Sequence, residues 1–255
     1  MTHIASPHNS RLKSLHRLRR RSERDRSGRF LAEGEDLVAA ARQGGRPAVE
    51  GFRLAGSGLG GERFHDVEPA ALSAVSTLGS GTRVIGVYEQ RWSAPAGPLC
   101  VYLHGVGDPG NVGTVLRGAR AFRASCVALG PGCADPHSPK AVRASMGAIF
   151  AVALARVGDV GALPGERVAL VVGAGEALPG LGEALAGARA VSLLVGSERD
   201  GLPDRVVSEC DRVARIPIAC DSLNAAMAAT VALYELARAD AGVLSPGQAS
   251  RVPAS

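Results

Sequence analysis

The sequence predicts an α/β protein of two modules, the second built on a parallel sheet, and three observations lead there. From residue 99 onward, continuous apolar runs such as LCVYL, VALVV and SLLV alternate with segments of helical period. Strands buried on both faces and covered by helices read this way. Gln90–Pro98 (QRWSAPAGP) holds two prolines and no periodicity, which marks a linker. Before it, a shorter alternation of strands and helices ends near Glu89, and 255 residues suffice for two cores. The expected division is a first module over 1–90, a linker over 91–98, a second module over 99–243 and a disordered tail over 244–255.

In the first module, Leu12, Leu15 and Leu18 recur every third residue among arginines, so a basic amphipathic helix is expected over 11–26. Phe30-Leu31 reads as a short apolar turn, and a helix runs from Gly34 to Arg42 with Gly44 as its stop. AVEGFRLAG, RFHDVEP, the helical AALSAVST and RVIGVYE complete the module. In the second, LCVYLHGV is a strand, VGTVLRGARAF a helix and SCVALG a strand. A long helix over SPKAVRASMGAIFAVAL follows, then strands at RVALVVGA and AVSLLVG. The helix PDRVVSECD, the strand ARIPIA and a final helix from Leu223 close it.

Composition excludes several classes. No apolar run approaches the roughly 18–20 residues of a membrane span, and the basic N-terminus is followed by no apolar stretch, so a cytoplasmic protein is expected. Cys100, Cys126, Cys133, Cys210 and Cys220 form no CxxC pair and lie near no histidine cluster, so buried free thiols and no metal are expected. The net charge of +5 is concentrated: residues 11–30 hold nine Arg or Lys against two acids. Such an element is the electrostatic footprint of a nucleic-acid binder, although a solvated helix face gives the same pattern.

In open α/β sheets, ligands bind beyond the carboxyl ends of strands. Three strand exits of the second module carry polar residues or glycines that packing does not demand. GVGDPGNVGTVLRGARAF offers Asn111 and, six residues on, Arg117; LLVGSERDGLP offers Gly196 and Glu198; IPIACDSLNAAMAATVALYE offers Ser222 and Asn224. Turn chemistry explains the first loop alone, and a helix cap explains the third alone.

Taken in order, NVGTVLRGARAF, LLVGSERDGLP and IPIACDSLNAAMAATVALYE resemble the three motifs of the SpoU/TrmH family of RNA 2′-O-ribose methyltransferases, within the SPOUT superfamily. SPKAVRASMGAIF is similar to the helix between the family's first two motifs, and SPHNSRLKSLHRLRRRSERDRSGRFLAEGEDLVAAA to an N-terminal substrate-binding domain of the L30e type. The resemblance implies a parallel α/β domain whose C-terminal segment forms a trefoil knot, a rare exception to ordinary topology. It implies S-adenosyl-L-methionine bound by Gly196, Ile216, Ile218, Leu223 and Asn224. It also implies a catalytic set of Arg117, Asn111, Glu198, Ser222 and Asn224. Arg117 either takes the ribose hydroxyl proton or clamps a substrate phosphate; its high basicity favours the clamp. Arg11, Lys13, Arg17, Arg19, Arg20, Arg21, Arg24, Arg29 and Arg143 are the expected RNA contacts. The family further implies a homodimer, no metal, and 23S ribosomal RNA as substrate.

Other readings stay open from sequence. The RNA could be tRNA. The segment between Pro217 and Asp221 is shorter than is usual in the family, which fits a non-catalytic RNA-binding relative. LVVGAGEALPG suggests a nicotinamide-dependent oxidoreductase, but Leu178 stands where the fingerprint needs its third glycine.

Overall fold

The computed structural model describes residues 2–78, 81–185 and 188–239; the expected tail over 244–255 lies outside them. Strands β1 (His3–Ile4), β2 (Arg29–Glu33), β3 (Glu50–Leu54), β4 (Phe64–Val67) and β5 (Val84–Glu89) form a five-stranded sheet in the order β1-β4-β3-β5-β2. It is mixed: β1, β4 and β3 run parallel, and β5 is antiparallel to both β3 and β2. Helices α1 (Ser10–Leu18), α2 (Arg21–Ser27), α3 (Glu35–Gln43) and α4 (Pro69–Val75) belong to this part.

The second sheet has seven strands, all parallel, in the order β10-β12-β9-β11-β6-β7-β8. They are β6 (Leu99–Leu103), β7 (Cys126–Leu129), β8 (Ala153–Arg156), β9 (Glu166–Leu170), β10 (Glu176–Ala177), β11 (Val191–Val195) and β12 (Arg212–Arg215). Its helices are α5 (Pro109–Ala121), α6 (Pro139–Ala144), α7 (Leu181–Ala184), α8 (Asp204–Ser208) and α9 (Ala225–Ala239). Strand residues alternate between faces. Val101, Leu103, Val127 and Leu193 pack with residues of α5, α6 and α9; Cys100, Tyr102, Ala128 and Leu194 pack with Leu202 and Val206 on the other side. Burial on both faces accounts for the continuous apolar runs. Glycine is required where α5 meets α6: a Cβ on Gly113 would sit 2.3 Å from the Ala141 carbonyl oxygen.

Several expected elements differ. The basic helix breaks into α1 and α2, with Arg20 extended between them. The leucine stripe is buried as the spacing demands. Phe30 and Leu31 lie in β2. The long helix over 138–154 stops at Ala144, because Met146 and Gly147 adopt positive φ (47° and 84°), and residues 153–156 become the edge strand β8. β12 ends at Arg215, before the Ile216-Pro217 pair, since a residue preceding proline and the proline itself disfavour further pairing. LVVGAGE leads from β9 into the short β10 instead of opening a helix on a glycine turn, so the dinucleotide reading has no structural support. Of the cysteines, Cys100 and Cys126 are buried, Cys133 and Cys210 half-buried, and Cys220 exposed.

The two sheets share a core. Phe30 of the first stacks on Phe150, which leads into β8 of the second, at a centroid distance of 5.8 Å; Tyr88 meets Phe150 edge-on at 4.8 Å, and Phe30 lies 4.7 Å from His137. Beside them is a buried ion pair. Arg24 donates from Nε (2.7 Å) and Nη2 (2.6 Å) to Asp135 Oδ2, and its Nη1 donates to the carbonyls of Leu18 and Arg19. Asp135 Oδ1 accepts from the His137 amide at 2.8 Å. One guanidinium thus closes the end of α1 and joins the two parts.

Two expectations follow. Asp135→Asn or Arg24→Ala leaves a buried charge without its partner and lowers stability by about 3–5 kcal/mol, read from urea unfolding. Loss of hydration pushes the His137 pKa down to about 4, against an ordinary value of 6.5. The unfolded chain therefore takes up this proton first. The stability that neutral His137 contributes is complete above pH 6.5 and falls away as pH drops towards 4. His137→Gln flattens that part of the urea-midpoint profile.

Candidate active site

The exits of β9, β11 and β12 surround a cleft of about 600 Å³ at the carboxyl edge of the parallel sheet. That is ample for a nucleoside-sized ligand. Three short loops build it. After β11, Ser197 and Gly201 exchange backbone hydrogen bonds at 3.2 and 3.1 Å, and the Asp200 amide donates to Ser197 Oγ at 3.0 Å. Gly201 takes φ of 65°, which this tight return needs. Gly196 lies against the returning chain: a Cβ there would be 2.1 Å from the Gly201 carbonyl carbon. After β12, Ile216, Ile218, Ser222 and Leu223 form a second wall, so the short segment still closes the cleft. After β9, Val172 and Ala174 form the third.

Val172 and Ala174 themselves carry no mark of the cleft in the sequence, because VVGA continues the apolar run of β9. The available signal was a glycine on each side of Ala174, at a strand exit. Val172 and Ile218 stay well exposed despite being apolar, and both line this cleft.

Above the cleft runs a chain of side chains from three separate motifs. Asn224 Nδ2 donates to Asn111 Oδ1 at 3.1 Å, and Asn111 Nδ2 donates to Glu198 Oε1. Asn224 also caps α9, its Oδ1 accepting from the Ala226 and Met227 amides at 3.0 and 3.3 Å. Asn111 is fixed from behind: α5 starts earlier than expected, at Pro109, and Asp108 Oδ1 accepts the Asn111 amide at 3.0 Å. The Lys140 ammonium, 2.6 Å from Asp108 Oδ2, and then the Asn111 amide hold the Asp108 carboxyl below the usual carboxylate range.

Gly196, Glu198, Ile216, Ile218, Ser222 and Leu223 thus share one cleft, with Asn111 and Asn224 joined to its rim through Glu198. Arg117 stands apart. It is exposed, does not line the cleft, and lies six residues along α5 from Asn111, about 9 Å by helical rise. The lining carries Glu198, Asp200, Asp204 and Asp221 against Arg199, an acidic balance suited to a cationic ligand. Among the described residues no group of three or more His, Cys, Asp or Glu could hold a metal ion.

The expected RNA contacts divide. Lys13, Arg17, Arg20, Arg21 and Arg29 are exposed. Arg24 is not at the surface, since it is buried against Asp135. Arg19 donates to the Val75 and Ser76 carbonyls, Arg11 pairs with Glu50 at 2.5 Å, and Arg143 donates to Thr77 Oγ1 at 3.0 Å across the junction.

Comparison with known proteins bears on this geometry. Residues 98–234 match the SpoU rRNA Methylase family, and residues 9–90 match the MRM3-like substrate binding domain. An uncharacterized tRNA/rRNA methyltransferase of Mycobacterium tuberculosis is 38% identical over 146 residues, covering 53% of this chain and 50% of the relative. The chain therefore spans about half the length of that relative. The 23S rRNA (guanosine(2553)-2′-O)-methyltransferase RlmP of Bacillus subtilis is 28% identical over 251 residues, 92% of this chain and 99% of the relative. An AdoMet-bound rRNA methyltransferase from Sinorhizobium meliloti superposes with a TM-score of 0.82 at 30% identity, covering 96% of this chain and 99% of the other. The AdoMet complex of AviRb from Streptomyces viridochromogenes gives 0.79 at 26%, covering 91% and 98%. The motif order, the cleft they build and these matches agree: the chain belongs to the SpoU rRNA methylase family, with an MRM3-like substrate-binding domain ahead of the methylase domain.

Proposed function

We propose that the protein is an S-adenosyl-L-methionine-dependent RNA 2′-O-ribose methyltransferase acting on 23S ribosomal RNA. The observation that carries this is the cleft with its Asn224–Asn111–Glu198 chain, in a family member whose full-length relative RlmP is a 23S rRNA 2′-O-methyltransferase. The cleft fits the cofactor: apolar walls at Val172, Ile218 and Leu223 suit an adenine, and the acidic lining suits a sulfonium. Gly196 lets backbone come close where any side chain would collide.

When bound, the cofactor supplies a methyl group already activated by positive sulfur. The remaining work is to hold a ribose 2′-oxygen in line with that carbon, roughly 3 Å away. In this reading Glu198 accepts a hydrogen bond from the ribose hydroxyl, Asn111 fixes the Glu198 rotamer, and Asn224 and Ser222 fix the rim. The hydroxyl proton passes along that hydrogen bond to the Glu198 carboxylate as the oxygen is methylated. Arg117, exposed and without a hydrogen bond or ion pair among the described residues, is free to meet the RNA. There it clamps a substrate phosphate and so holds the ribose over the cleft.

A trefoil knot is supported by the return of the chain from β12, beyond β9, to α9, which packs against α5, α7 and β11. A homodimer is supported by Met227, Val231 and Tyr234, an exposed apolar stripe on α9 at 58%, 38% and 47% exposure. A cytoplasmic location follows from the substrate; among the described residues no helix is long and apolar enough to cross a membrane.

Calorimetric titration with S-adenosyl-L-methionine should show saturable binding to the wild type and none to Gly196→Ala, whose added carbon displaces the β11 loop. No binding to the wild type at millimolar ligand would favour the non-catalytic reading. Arg117→Ala should keep cofactor affinity and lower methyl transfer to a 23S transcript by about a hundredfold or more. Asn224→Ala should lower both stability, by about 1 kcal/mol through the lost cap, and cofactor affinity.

A further inference from the structure

A second cavity, of about 280 Å³, opens at the same carboxyl edge of the seven-stranded sheet, above β7 and β8 and against the first module. It shares no lining residue with the cofactor cleft. Gly130, Pro131 and Gly158 come from the two strand exits, Arg21 from the start of α2, and Trp92 from the linker. Arg156, the last residue of β8, lies with its guanidinium carbon 4.1 Å from the centroid of the Trp92 ring. Trp92 is fixed in turn, edge-on to His137 at 5.2 Å and donating from Nε1 to Gln90 at 3.2 Å.

This arrangement holds one guanidinium plane at a cavity mouth with a second close by, and the one acid in the lining, Asp135, is committed to Arg24. Both arginines reach Asp25, but only at 3.6 and 3.4 Å and with 62% and 58% of their side chains exposed. Exposed pairs of that kind are weak, and a phosphate can replace the carboxylate. Arg20, also exposed, continues the basic surface onto the first module. In the sheet, β7 stands two strands from β11. At the usual spacing that puts the near edges of the two sites about 10 Å apart and their centres about 17 Å apart along one sheet edge. A few nucleotides of single-stranded RNA cover that distance.

We propose that the junction cavity seats an RNA nucleotide a few positions from the methylated one, its base on the outer face of Arg156 and its phosphate at Arg21. Bases stack on arginine planes as they do on aromatic rings, and RNA readers rely on such stacking for unpaired nucleotides. This rests on the RNA methyltransferase reading above. It adds a second recognition point, so that the RNA runs from the basic face of the first module, over the junction, to the cofactor cleft.

The chain has a single tryptophan, so its emission reports this cavity alone. The full-length protein is titrated with a short oligouridylate, unlabelled to follow Trp92 emission and fluorescein-labelled to follow anisotropy. The expected result is saturable Trp92 quenching in step with the anisotropy change. R21E should weaken binding about tenfold, and R156A similarly, with S-adenosyl-L-methionine affinity unchanged by calorimetry. An anisotropy change with constant Trp92 emission and wild-type affinity in R21E would overturn the cavity assignment and leave the RNA reading intact. No anisotropy change at all would overturn the junction site, while saturable S-adenosyl-L-methionine binding by the same protein would leave the methyltransferase reading standing.

Discussion

The buried pair of Arg24 and Asp135 is the contact on which the arrangement of this molecule depends. A single guanidinium closes the end of α1, pairs with a carboxylate of the parallel-sheet module and lies beside the shared aromatic core of Phe30, Tyr88 and Phe150. A buried pair of this kind adds little net stability, because desolvation offsets the attraction. It fixes one geometry instead, since any rotation of one module against the other would leave two charges unsatisfied in an apolar setting. The consequence for function is orientation: Arg21, at the start of α2, is held over the exits of β7 and β8, on the side of the sheet where the cleft lies.

The parallel sheet supplies the second constraint. With every strand running the same way, all strand exits fall on one edge, and the residues that packing does not claim gather there. The cleft loops after β9, β11 and β12, the Asn111 turn after β6 and the junction cavity after β7 and β8 all lie on that edge. The opposed charge characters of the two cavities follow from their walls. The cleft is acidic and suits a cationic cofactor; the junction presents Arg21 and Arg156, while its one acid, Asp135, is already paired with Arg24, and so suits a phosphate.

Much of the cleft could be read from the chain, and the reasons are local. Glycine at the β11 exit and asparagine before an alanine-rich helix have few roles, and the three motifs stand in a fixed order. Asn224 serves both as cap and as rim residue, so neither reading excluded the other. The walls from Val172 and Ala174 were not legible, because an apolar pair after a strand reads as more strand. Nor was β8: its residues ALAR have helical propensity, and the break comes from positive φ at Met146 and Gly147. An arginine-rich segment likewise gives no sign of which member turns inward.

The sequence by itself determined the α/β class, the parallel second sheet, the order of the motifs and the concentration of positive charge, because periodicity, turn chemistry and charge are local properties. Only the tertiary structure decided that Arg24 is an internal strut while Arg21 faces a cavity, and that Asn111, Glu198 and Asn224 form one chain. Partners separated by 87 to 113 positions meet through strand order and helix packing, and no local pattern encodes which buried charge finds which acid.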